Sequence, residues 1–150
     1  MKPFFVLIIS FIVSVFVTKL FGNEFDYFLS GRIAMAFMLL FTAMGHFVFR
    51  KGMAMMIPNP IPYKSETIFL TGIIEIMAAI GLLTSNLSLI TAWLLIAFFI
   101  LILPANVYAA VNKIDYQKGT FDGKGLSYLW LRIPLQIFYI VWVYIFTIHK

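Results

Sequence analysis

The stretch "ILILPANVYAAVN", Ile100 to Asn112, lies in an apolar run, Leu87–Val111, yet holds a proline and an asparagine two residues apart. Roughly 20 apolar residues in a helix cross the hydrocarbon of a bilayer, so the run is long enough to span one. At such depth Pro104 cannot donate to the carbonyl of Ile100, and Asn106 brings an amide that lipid tails do not solvate. Both are tolerated where protein or a cavity covers them. The stretch therefore predicts a bent helix that turns its broken face towards other helices.

The rest of the chain agrees with that reading. Of its 150 residues 63% are hydrophobic and 11% charged, and mean hydropathy is +1.00. A typical soluble domain has about 25% charged residues. The composition is that of a polytopic membrane protein. The net charge of +5 does not point to nucleic acid, because the bases come singly or in pairs between apolar runs, where they set orientation. The absence of cysteine removes thiolate metal sites and thiol catalysis.

Five runs have the length and polarity of spans: Phe4–Phe21, Gly31–Phe49, Ile68–Leu83, Leu87–Val111 and Leu126–Ile148. An alternative for the first is a signal peptide or signal anchor. "TKLFGNEF" after it offers no small-x-small cleavage site, which argues for a retained helix. One side of the five spans collects Lys2, Arg50, Lys51, Lys64, Lys113, Lys118 and Lys124; the other has Lys19, Arg32 and Lys150. This asymmetry predicts the N-terminus inside and the C-terminus outside.

Glu75 and Arg132 are the charged residues well inside the runs. Counting 1.5 Å per residue from the base-rich side puts His46 about 6 Å deep, Arg132 and Asn106 about 8–9 Å, and Glu75 and Gln136 about 13 Å. Polar side chains of four helices thus fall in one layer, together with Pro104 and Pro134. Arg132 and Gln136, four apart, share a helix face. A lone charge at a helix centre costs roughly 2.5–3.5 kcal/mol on insertion scales, so Glu75 and Arg132 are expected to pair, flanked by Asn106 and Gln136. Gly72, Ala78 and Ala79 lie on the face of Glu75 and predict close approach of a neighbouring helix. The connection "RKGMAMMIPNPIPYKS", Arg50 to Ser65, is too apolar for a free loop and too broken for a helix. It reads either as a cap over the polar layer or as an interfacial loop.

Five pieces carry a family resemblance: "GHF" (Gly45–Phe47), "IPNPIP" (Ile57–Pro62), "LTGIIEI" (Leu70–Ile76), "LPANVYAA" (Leu103–Ala110) and "LWLRIPLQ" (Leu129–Gln136). In this order the chain resembles the DoxX family of small bacterial membrane proteins from about Gly31 to the C-terminus. Two positions depart from the family pattern: Ala109 stands where a methionine is frequent, and the glycine before the histidine is placed differently around Met44-Gly45. The resemblance implies an all-α, four-helix membrane bundle over residues 31–150, with residues 1–22 as an additional N-terminal transmembrane helix. It also implies a bacterial or archaeal cytoplasmic membrane and a link to membrane oxidoreductase assemblies.

Two functional readings follow. In one, His46, Glu75, Asn106, Tyr108, Arg132 and Gln136 form an intramembrane pocket for a quinone-like or lipid-like molecule. Phe47, Tyr63, Tyr108 and Trp130 would wall its apolar part, and the protein would act in an oxidoreductase assembly or as a homo-oligomer. In the other, the bundle is a non-catalytic scaffold or lipid-binding protein, and the polar layer is a buried ion pair that fixes helix register. His46 is the one histidine inside a run, so no haem-ligand pair is available, and no metal, flavin or nicotinamide motif is present.

Overall fold

The computed structural model describes residues 2–22 and 24–149, and these form an all-helical chain. In order come α1 (Lys2–Gly22), α2 (Tyr27–Val48), α3 (Arg50–Ala54), α4 (Lys64–Leu83), α5 (Ser88–Leu101), α6 (Leu103–Val111) and α7 (Leu129–Val143). A 3-10 turn, Gly125–Tyr128, leads into α7, and a π-helical turn, Tyr144–Ile148, continues it. Among the described residues five helical stretches are long and apolar enough to cross a membrane: α1, α2, α4, α5 with α6, and α7 with its flanking turns.

The helix at the centre is α2. Its side chains are buried on almost every side between Ser30 and Leu39, and its contacts with α4 and α1 are the most extensive in the fold. The start of α2 is set by Asp26, whose carboxylate accepts the Leu29 N–H at 2.8 Å and caps the first turn. The helix therefore begins a turn before the apolar run that starts at Gly31. Helix α1 is apolar all round and lies at the edge, sending Leu7 and Ser14 into the protein. An aromatic ridge joins it to α7, with Phe11 packed against Trp142 at 5.1 Å and Phe146 at 5.3 Å between ring centroids. Trp142 also donates its indole N–H to the Gly31 carbonyl at 3.0 Å, tying α7 to α2.

The proline of the opening stretch does more than bend its helix. The helix breaks at Ile102, and Pro104 sits in the first turn of α6, where its missing N–H costs little. Pro134, by contrast, lies inside α7. The Arg50–Ser65 connection begins with the short helix α3, against the expectation that it is too broken for one. Met56 and Ile57 are buried, and Met56 packs with Ala109 and Ile114 beside Met53, Met55, Tyr108 and Tyr116. The segment is thus packed onto α6 and the loop that follows it.

Candidate functional site

The buried polar cluster forms where α2 meets α4. Gly72 makes the approach possible: a Cβ there would lie 3.0 Å from His46 Cβ and 3.1 Å from Phe47 Cζ. Thr71 and Glu75, four residues apart on α4, share a face and flank the imidazole of His46. His46 Nδ1 is 2.9 Å from Thr71 Oγ1, and His46 Nε2 is 3.4 Å from Glu75 Oε1. Glu75 is 4% exposed, and its Oε2 has no hydrogen-bond partner.

The protons of this cluster can be placed from the donor inventory. Thr71 donates its hydroxyl proton to the Ile68 carbonyl at 2.8 Å. Its oxygen is then left to accept from His46 Nδ1–H. Nε2 and Oε1 attract only if one proton lies between them, on the imidazolium or on the carboxyl. Either assignment makes the pair electrically neutral, which suits an apolar environment. Either also leaves Oε2 as a pure acceptor.

The expected pairing of Glu75 with Arg132 is corrected by this geometry. Glu75 has His46 as its ion-pair partner, while Arg132 donates from Nη1 to the Tyr128 hydroxyl at 2.7 Å and lies 5.4 Å over that ring. Tyr128 is four residues before Arg132, so the contact is local to the start of α7. Depth counting places side chains along the bundle axis but says nothing of rotation about each helix.

The remaining predicted residues make no hydrogen bond to His46, Thr71 or Glu75. Gln136 is buried and donates its amide to the Phe99 carbonyl at 2.6 Å, at the end of α5 just before the break. The carbonyl that Gln136 takes is that of Phe99, one residue before the Ile100 carbonyl that Pro104 cannot serve. Asn106 is buried, and its Nδ2 has no partner. Tyr108 lines an apolar cleft of about 580 Å³ with Pro58, Leu103, Pro104, Val107 and Val111. Of the proposed aromatic walls, Tyr63 and Trp130 are 77% and 86% exposed and point away from the protein. Replacing Gln136 by Leu should leave the buried Phe99 carbonyl unpaired and lower stability by about 1–3 kcal/mol. Thermal unfolding in detergent measures this, together with faster amide exchange at residues 98–106.

Three participants escaped the reading by sequence. Thr71 had a signal, its spacing of four from Glu75. Tyr128 had the same spacing from Arg132. Arg32 was counted among the loop bases, but the Asp26 cap carries it into the second turn of α2, where it is 9% exposed.

Fold and site together define an all-helical protein of five long apolar helices with a His46–Glu75 contact between α2 and α4, its glutamate buried. The chain belongs to the family described as Domain of unknown function (DUF8561), whose model matches residues 35–147. This match overturns the resemblance to the DoxX family. The five pieces that carried it are short combinations of small, proline and polar residues that helix bundles of different descent need at close contacts and helix breaks. No curated protein and no solved structure shows a significant match to the chain.

Proposed function

We propose that the chain is a multi-pass protein of the cytoplasmic membrane, with its N-terminus inside, and that its His46–Glu75 site binds a small apolar molecule through a hydroxyl or similar donor. The observation that carries this reading is Glu75: buried on an apolar helix, one oxygen on His46, the other without a partner. A buried carboxylate oxygen that accepts nothing is costly, and a ligand donor relieves that cost. Because Oε2 is an acceptor in either proton assignment, the complementary group is a donor. A quinol or lipid hydroxyl fits this better than a quinone carbonyl. The apolar cleft beside Tyr108 offers a separate surface for hydrocarbon. An oxidoreductase partner has no support beyond the overturned resemblance to the DoxX family.

Mass spectrometry of molecules retained in mild detergent tests the reading. Wild-type protein should hold a hydroxyl-bearing apolar molecule near one per chain, and the double variant His46→Leu, Glu75→Leu should come without it. Equal retention by both proteins, or none by wild type, would leave the pair as a strut between α2 and α4. Orientation is tested separately by a reporter fused after Lys150, which should report export of that end.

A further inference from the structure

The end of the bundle away from His46 holds a second buried charge, and it has no carboxylate partner among the described residues. Arg32 is 9% exposed, its Nε is enclosed without a hydrogen-bond partner, and no carboxylate of the described residues lies within 4.0 Å of its guanidinium. The two nearest acids in sequence are otherwise placed: Asp26 caps α2, and Glu24 is exposed. Arginine cannot shed its proton to escape the cost, unlike lysine or histidine. A buried cation with no carboxylate beside it among the described residues is stabilised by an anion taken up from outside the chain.

We propose that Arg32 is the anchor of an oxyanion site, and that the anion it takes is a phosphate group. Its guanidinium fork matches a phosphate or carboxylate in bidentate fashion, which a point-like ammonium does not. The residue lies five positions past Tyr27, about 7.5 Å into α2, and a long arginine side chain near a helix end extends back towards the headgroup region of a bilayer. The fraction of Arg32 that stays exposed gives such a group access. The need for an anion follows from the buried charge alone; the phospholipid as its source rests on the membrane reading above.

The test is thermal unfolding of the full chain in phosphate-free mild detergent, wild type beside Arg32→Met, titrated with inorganic phosphate in one arm and phosphatidylglycerol in another. Diacylglycerol, which lacks phosphate, is the lipid control. An anion that binds the folded state raises the midpoint with the logarithm of its concentration. Wild type should rise by several degrees, and Arg32→Met should not respond. A response to inorganic phosphate identifies a free oxyanion as sufficient; a response to phosphatidylglycerol alone identifies the headgroup. Equal shifts in the two proteins, or no shift of wild type in either arm, would overturn the site. Should Arg32→Met not fold, Arg32→Lys replaces it and should show a weaker response at higher concentration; a response equal to wild type would overturn the bidentate site. Extraction of the chain from membranes by alkaline carbonate would count against the membrane reading while leaving the phosphate arm intact.

Discussion

Replacing His46 by Leu should lower the stability of the folded protein by about 3–5 kcal/mol, the range for removing one partner of a buried pair. The cause is Glu75. With the imidazole gone, Oε1 loses its partner as well, and the whole carboxyl group is left unpaired at a residue that is 4% exposed. Thr71 also loses its imidazole donor, though its own bond to the Ile68 carbonyl survives. The double change His46→Leu with Glu75→Leu should recover most of the loss, because no buried charge or unpaired carboxylate remains. Thermal unfolding of the two single variants and the double gives the coupling energy directly. A double variant as unstable as His46→Leu would show that the two residues do not act as a pair. Arg132→Leu should cost much less than His46→Leu, since Arg132 is engaged with Tyr128 and is not the partner of Glu75.

Gly72→Leu should disrupt the packing beside His46, lowering stability by about 1–3 kcal/mol and displacing the site with it. Even a single Cβ at this position would stand 3.0 Å from His46 Cβ, so Ala asks the neighbours to give by a few tenths of an ångström. Leu adds three more carbons against Phe47 and forces α2 away from α4. That separation also lengthens the contact of His46 with Glu75. Loss of stability should therefore be accompanied by loss of whatever the wild type retains at the site, whereas Gly72→Ala should keep both nearly intact. If Leu is tolerated without change, the close approach of these two helices is not what places the site.

The glycine, the glutamate and the histidine were each legible as residues of interest, for different reasons. Glu75 stands out because a carboxylate in an apolar run is expensive, and Gly72 because small residues let helices approach. His46 was placed in the same layer by counting residues from the helix end. What the count lacked was the partner. Arg132 attracts attention as the stronger cation, yet a side chain four residues away satisfies it locally, before any other helix is reached. Thr71 was hidden because a threonine in an apolar helix usually bonds its own backbone, as this one also does.

Composition and run length alone determined that this protein is all-helical with five long apolar stretches, because the 3.6-residue period and the polarity of each run are local properties. Pro104 likewise marked a bend in the fourth run, since a missing N–H is local chemistry, where the structure has a full break at Ile102. The tertiary structure decided the rotation of each helix about its axis, and with it which charges meet. It turned Glu75 to His46, sent Gln136 to the carbonyl of Phe99, and enclosed Arg32 in the second turn of α2. Depth in a bundle can be counted from a sequence. Azimuth depends on which faces pack against one another across the whole fold, and only the assembled helices fix it.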